Sequence, residues 1–298
     1  MKSGFVSIVG RPNVGKSTLL NAILECHVAI TSNKSGTTRN IIQGVYNDDD
    51  SQIVFVDTPG IHKPTHKLGT VLNQKAYQMT DNVDIVLFLV DIKDGFGKGD
   101  MFILNKLKQS GQDVILVLTK IDKIKDKQTL LSEIDKLQNL YDFKEIIPIS
   151  SVKNINIESL IKTLKKYLKE DIKYFADDYL TNQPVSMMIC ELVREKILRK
   201  TEDEVPHSVT CYLEEYENTP KIVNLSVLIV VDRDNLKKII IGKNGSMLKE
   251  IGHDARLDLE EYFNKKVYLS LYVKTIANWR DREKYLQELG LKDDLDLE

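Results

Sequence analysis

One run constrains this chain more than any other. It is GRPNVGKST, Gly10 to Thr18, placed directly after the apolar stretch Phe5–Val9. The run fits G-x-x-x-x-G-K-[ST], a pattern whose mechanism needs a strand before it and a helix after it. Gly10 and Gly15 let the backbone wrap closely around phosphates. The amides of the loop, which passes through Arg11, Pro12, Asn13 and Val14, point at the anion together with those of the helix start at Ser17 and Thr18. Lys16 would reach the β- and γ-phosphates, and the Ser17 hydroxyl would ligate Mg²⁺. Phe5 to Cys26 are therefore expected to fold as strand, phosphate loop and helix.

The following sequence repeats that alternation. Ile53–Val56, Ile85–Val90, Val114–Leu118 and Ile146–Ile149 read as buried strands. Between them lie helix candidates at Lys16–Cys26, Asn73–Thr80, Met101–Gln109, Gln128–Leu140 and Ile157–Leu168. The last carries Ile157, Leu160, Ile161, Leu164 and Leu168 on one face, a 3.6-residue period. Strands alternating with helices imply an α/β domain, a mostly parallel sheet with helices on both faces. The 298 residues suit about two domains at roughly 150 each.

The pattern changes near Asp171. A polar stretch, DDYLTNQP, is followed by a helix candidate (Ser186–Lys200) and two strand candidates (Val209–Tyr216, Ile222–Val231). Then come a short helix, a GKNG turn, a long helix to about Phe263 and a strand Val267–Val273. The order α-β-β-α-α-β is an α+β domain. Expected boundaries are 1–171 for the first domain, 172–200 for a linker and first helix, 201–279 for the second domain, and 280–298 for a C-terminal helix and acidic tail.

Further motifs gather on the first domain. FVDTPG ends a strand region, so Asp57 stands at a carboxyl end, where an open α/β sheet binds ligands. It would hold Mg²⁺, with Thr58, Pro59, Gly60 and Ile61 beside the nucleotide and the Gly60 amide sensing the γ-phosphate. GTTRN, Gly36 to Asn40, offers a hydroxyl to complete the metal shell; Thr38 is the choice and Thr37 the alternative. LVLTKID ends another strand and supplies Thr119, Lys120 and Asp122. A carboxylate at Asp122 accepts guanine N1–H and N2–H₂, a donor pair that adenine lacks, and leaving it unpaired would be costly. The Lys120 stem can lie across the base. ISS places Ser150 and Ser151 at the next strand end, where the Ser151 amide meets guanine O6.

Together, GRPNVGKST, GTTRN, DTPG, TKID and ISS resemble the five-motif signature of translation-factor-related GTPases, and the TTR form and the Pro-Asn of the loop resemble the group of Era and tRNA-modification GTPases among them. The resemblance implies a GTPase converting GTP to GDP and phosphate. One departure stands out: the base motif of such proteins usually begins with Asn, which ties the base loop to the phosphate loop, and here Thr119 is shorter. Ras-like enzymes orient the attacking water with a Gln after the DxxG element. Here Ile61 follows Gly60, and a lone loop histidine such as His62 more often faces solvent. The resemblance implies instead a K⁺ ion held partly by Asn13, hence slow basal hydrolysis stimulated by K⁺. Lys16, Thr38 and Gly60, with Mg²⁺ and backbone amides, would carry catalysis.

In the second half, Gly242, Lys243, Asn244 and Gly245 form a GxxG turn between two helix candidates. Taken alone it is turn chemistry. The surrounding DNLKKIIIGKNGSMLKEIG resembles the core of a type II KH domain, and REKILRKTEDEVPHSV and NWRDREKYLQELG resemble the Era family over essentially the whole chain. The resemblance implies that Lys237, Lys238, Ile241, Gly242, Lys243, Asn244, Gly245 and Lys249 bind RNA. Ile239, Ile240, Ile241, Leu248 and Ile251 are expected as apolar walls beside the lysines, a surface suited to single-stranded RNA.

Charge limits the partners. The whole chain carries −2, about +2 in residues 1–181 and −4 in the rest. Yet no acid interrupts the four lysines between Lys237 and Lys249. This excludes a general polyanion binder and leaves a localised site. The resemblance implies binding near the 3′ end of small-subunit ribosomal RNA, a role in assembling the small (30S) subunit, a monomer, and possible peripheral association with the inner face of the cell membrane. No stretch approaches the ~20 apolar residues of a spanning helix. Cys26, Cys190 and Cys211 share no ligand spacing and read as free thiols in a cytoplasmic protein. Rival readings are a small-molecule kinase, opposed by DTPG and TKID; a pure RNA-binding module, opposed by intact Lys16, Ser17 and Asp57; and a membrane-surface switch using the helix Ser186–Lys200.

Overall fold

The computed structural model describes residues 1–34, 37–60, 66–78, 83–169, 171–288 and 291. Gly36, Ile61, His62 and the acidic tail lie outside the described residues. The chain divides into two units: Met1–Thr31, Thr38–Lys63 and Leu72–Asn182 form the first, and Ser32–Thr37, Pro64–Val71 and Gln183–Glu298 the second.

The elements up to residue 167 run β1 (Lys2–Gly10), α1 (Lys16–Leu24), β2 (Ile42–Asn47), β3 (Ser51–Asp57), α2 (Lys67–Gln78), β4 (Ile85–Asp91), α3 (Lys98–Ser110), β5 (Val114–Thr119), α4 (Lys127–Leu137), β6 (Glu145–Pro148) and α5 (Ile157–Tyr167). The sheet order is β2-β3-β1-β4-β5-β6. All neighbours pair in parallel except β2 with β3. β4 shows why its sequence is an unbroken apolar run. Ile85, Leu87 and Leu89 enter one core with Val6, Leu19 and Leu160, while Val86, Phe88 and Val90 enter another with Ile103 and Leu107. Both faces are covered, so alternation disappears. The carboxyl ends of β1, β3 and β5 carry the three motif loops.

β2 went unrecognised in the sequence. IQGVYN alternates weakly and forms an edge strand, and its outer side is covered by residues 171–182, the segment expected to be linker. Thr181 bridges to Gly44, and Val45 donates its amide to the Leu180 carbonyl at 2.9 Å. Gln52 is 1% exposed, and its Oε1 accepts the amides of Tyr174 (2.7 Å) and Phe175 (2.9 Å). The expected 172–200 stretch thus splits between Asn182 and Gln183, because its first part supplies hydrogen bonds that β2 and β3 need.

The second unit contains α6 (Val185–Lys200), α7 (Val205–Ser208), β7 (Thr210–Asn218), β8 (Ile222–Val231), α8 (Asp234–Ile241), α9 (Ser246–Phe263), β9 (Lys266–Thr275) and α10 (Glu283–Glu288). β8 is central, antiparallel to β7 and parallel to β9. Val223, Leu225, Val227, Ile229 and Val231 are all buried, matching their period-2 spacing. α6 packs on α9 and β7. Met188, Ile189, Leu192, Val193, Ile197 and Leu198 are buried, with Arg194, Glu195 and Lys196 buried beside them, while Val185 at the start of the helix is exposed. Among the described residues no helix is long and apolar enough to cross a membrane. Among the described residues the three cysteines form no disulfide.

Candidate nucleotide site and RNA groove

The phosphate loop leaves β1 at Gly10 and enters α1 at Lys16 through Gly15, whose φ is 102°. Lys16 is 6% exposed and donates to the carbonyls of Gly10 (3.2 Å) and Arg11 (3.0 Å). Burial pushes its ammonium down to about 8, against the attraction of Asp57. Ser17 Oγ donates to Asp57 Oδ2 at 2.7 Å and lies 2.9 Å from Thr38 Oγ1. Thr37, the alternative, turns elsewhere: its hydroxyl lies 2.6 Å from both Ser32 Oγ and the Lys34 carbonyl. Asp57 is fully buried, burial raises its carboxyl to about 6, and its Oδ1 has no hydrogen-bond partner. A buried carboxylate oxygen without a partner, beside two hydroxyls, is a hard-oxygen donor set of the kind Mg²⁺ takes. These residues fit the metal.

DTPG is fastened at both ends. Thr58 Oγ1 donates to the Ile8 carbonyl at 2.9 Å, so its side chain anchors the motif to β1. A Cβ on Gly60 would lie 2.9 Å from Pro12 N and Cα, so only glycine allows this approach to the phosphate loop.

The base loop meets the same loop from the other side. Thr119 Oγ1 donates to the Val14 carbonyl at 2.7 Å, with the Val90 carbonyl 3.3 Å away. The shorter side chain therefore still ties the two loops. Lys120 Nζ donates to the Asn13 carbonyl (2.7 Å) and pairs with Asp91 (2.6 Å), which stretches its stem beside the loop. Ser150 Oγ donates to Asp122 Oδ1 at 2.6 Å, and this bond holds the Asp122 carboxyl below its ordinary range. Ser151 follows, partly exposed, at the head of the turn. Asn13 is exposed with φ 64°. Of the residues expected at the nucleotide, Arg11 stands apart: its guanidinium points to Asp100 and the Gly95 carbonyl.

In the second unit, α8 stops at Gly242, whose φ of 72° favours glycine. A Cβ there would also lie 2.7 Å from that of Met247. Asn244 (φ 52°) and Gly245 (φ 79°) complete the turn into α9. Beside it an open groove of 470 Å³ runs between α9 and β9, lined by Gly245, Leu248, Lys249, Gly252, His253, Arg256, Leu269 and Leu271. Lys238, Lys243, Asn244 and Lys249 are exposed, and Lys237 and Ile241 are partly so. Ile240 and Ile251, expected as walls, are fully buried, because the helical period turns them into the core. Leu248, also expected, does line the groove, and Leu269 and Leu271 of β9 complete its apolar floor. His253 and Arg256, which line the same groove, went unnoticed. His253 stands four residues after Lys249, and Arg256 four after Gly252, and that spacing on one helix face was the available signal.

A phosphate loop on β1, the Asp57 carboxylate at the end of β3, a loop after β5 that carries Asp122, and a GxxG turn between two helices define a P-loop GTPase joined to a KH domain. A family model described as a 50S ribosome-binding GTPase matches residues 5–120, and a KH-domain model matches residues 204–280. The chain is 47% identical over 294 residues to GTPase Era of Clostridioides difficile strain 630, covering 98% of this chain and 99% of that one. It superposes with a TM-score of 0.95, at 42% identity over 98% of its length and all of the other chain, on an Aquifex aeolicus Era variant bound to GDP·AlF4⁻. The same figures hold for Era in complex with MgGDPNP and nucleotides 1506–1542 of 16S ribosomal RNA. The chain belongs to the Era family of GTPases, and hydrolyses GTP to GDP and phosphate.

Proposed function

We propose that this chain is a nucleotide-controlled RNA-binding switch acting in assembly of the small ribosomal subunit. GTP or GDP sits on the loop Gly10–Thr18. Asp122 and Lys120 receive the base, Ser150 holds Asp122, and the Ser151 amide meets O6. Ser17, Thr38 and Asp57 hold Mg²⁺, which neutralises charge on the β- and γ-phosphates. Lys16 and the Gly60 amide stabilise the charge that develops on the γ-phosphate. The observation that carries this reading is the buried, half-satisfied Asp57 carboxylate beside Ser17, whose hydroxyl also meets that of Thr38.

The groove between α9 and β9 takes single-stranded RNA from the 3′ region of small-subunit ribosomal RNA. Its apolar floor receives bases, and Lys249, Arg256 and the lysines around Gly242–Gly245 meet phosphates. The solved Era relative bound to nucleotides 1506–1542 of 16S ribosomal RNA supports that choice. The GTP state binds this RNA better, so RNA tightens GTP binding by the same factor. Asn13 holds a K⁺ ion that speeds hydrolysis. The protein works as a cytoplasmic monomer with peripheral contact to the inner membrane face, which vesicle co-sedimentation tests.

The decisive experiment crosslinks the protein to cellular RNA with GDP or a GTP analogue, for the parent and a Lys249→Ala/Arg256→Ala variant. Enrichment of the small-subunit 3′ end, greater with the analogue and lost in the variant, is expected. Equal recovery with both nucleotides rejects the coupling. In parallel, Asp122→Asn should shift preference from guanine to xanthine nucleotides, since an amide donor now meets the base.

A further inference from the structure

Arg11 lies in the phosphate loop, and its side chain leaves the site. Its Nε lies 2.8 Å from Asp100 Oδ2, and its Nη2 donates to the Gly95 carbonyl at 3.0 Å. Asp100 is wholly buried in the first turn of α3, and the same oxygen accepts the Gly97 amide at 2.9 Å. Space is kept for the arginine. A Cβ on Gly99 would lie 2.7 Å from Arg11 Cδ, so position 99 takes no side chain while Arg11 lies there. Meanwhile the Arg11 carbonyl accepts the Lys16 ammonium. One residue thus has its side chain clamped to α3 and its carbonyl on the lysine that meets the phosphates.

We infer that Asp100 is a positioning residue for GTP hydrolysis, acting through Arg11 to fix the loop that aims Lys16. The inference rests on the assignment of Gly10–Thr18 as the phosphate loop. Arg11 in this role never touches nucleotide, and Asp100 is its anchor. The rival is an arginine that swings onto the phosphates, with Asp100 holding it in reserve. The two differ in sign. Freeing the arginine by Asp100→Asn slows hydrolysis if the clamp positions the loop, and leaves it equal or faster if the arginine is a reserve catalyst.

The test compares Arg11→Ala, Arg11→Lys, Asp100→Asn and the double variant Arg11→Ala/Asp100→Asn in the full chain, with kcat expressed per nucleotide-loaded site. Misplacing a reacting group by a fraction of an ångström is enough for losses of the order expected, roughly tenfold in kcat for each of Arg11→Ala and Asp100→Asn. The double variant should be no slower than about the worse single one, and Arg11→Lys should fall between. Expressing the rate per loaded site separates this from simple loss of folded protein, which would lower the number of sites and leave kcat unchanged. Unchanged or faster hydrolysis in Asp100→Asn overturns the inference, as do multiplicative losses in the double variant. Lys16→Ala serves as the control for the underlying assignment: if it still hydrolyses GTP at the parental rate, the phosphate-loop reading itself falls. If it is inactive while Asp100→Asn is normal, only the role of Asp100 falls.

Discussion

Thr119 donates its hydroxyl to the Val14 carbonyl across 105 residues of sequence, at 2.7 Å. A threonine thus does with one hydroxyl what a longer amide side chain does in related base loops. Both groups are buried, so the bond has no replacement from water.

Thr119→Val keeps the shape and removes the donor. The orphaned buried carbonyl should cost about 1–3 kcal/mol. The loss should appear as faster GDP release, measured with a fluorescent nucleotide, with little change in the rate of hydrolysis per bound GTP. Thr119→Asn should stay close to the parent. A Val variant with parental release would show that the tie does not hold the base loop.

Asp57 contributes a pH dependence to the stability of the nucleotide-free protein. Burial lifts its folded carboxyl to about 6, above the ordinary 3.8. The folded state then binds the proton more tightly than the unfolded chain. Its stabilising contribution is full below 3.8 and is lost as pH rises through about 6. Asp57→Asn, neutral at every pH, should therefore raise Tm at neutrality while abolishing Mg²⁺-dependent nucleotide binding. The gain should shrink as pH falls through about 6. A gain independent of pH would assign it to something other than the buried charge.

The RNA groove has a salt signature. If Lys249 meets a phosphate, Lys249→Ala should weaken binding of every single-stranded sequence similarly and flatten the plot of log K against log salt by about 0.7. Leu271→Ala removes floor rather than charge, so affinity should fall with the slope unchanged. Identical slopes in parent and Lys249→Ala would remove that lysine from the interface.

Asp232 and Arg280 form a buried pair at 2.5 Å, and Arg280 also donates to the His207 carbonyl. Beside it Trp279 is wholly buried and donates its indole N–H to the Ser208 carbonyl. Asp232→Ala leaves a buried guanidinium without its partner and should cost about 3–5 kcal/mol in urea unfolding. Replacing both members by apolar residues should cost less. A loss below about 1 kcal/mol, the range of surface pairs, would mean water reaches the site.

Much of the fold is written in periodicity. β4 and β8 follow directly from their apolar patterns, and the phosphate loop from its spacing. What escaped was held by single polar side chains acting over long separations. β2 reads poorly because its outer partner is the segment 171–182, and that segment is pinned by the amide of Gln52, which has no sequence signature. Arg11 sits inside a legible motif, yet its direction is decided by Asp100, about ninety residues away. Ile240 and Ile251 looked like groove walls because charge clusters draw the eye to neighbours in sequence, whereas the helix turns them inward.

The segment lying along β2 also decides where this protein can be cut. A fragment ending at residue 171, the boundary that composition suggests, would strip β2 of its covering backbone and leave an exposed sheet edge, the kind of surface on which chains stack into aggregates. Carrying the fragment to Asn182 keeps that edge occupied by its own polypeptide. Eleven residues that look like spacer are in effect a protective selvedge, and a fragment that keeps them should stay in solution at concentrations where one ending at 171 aggregates.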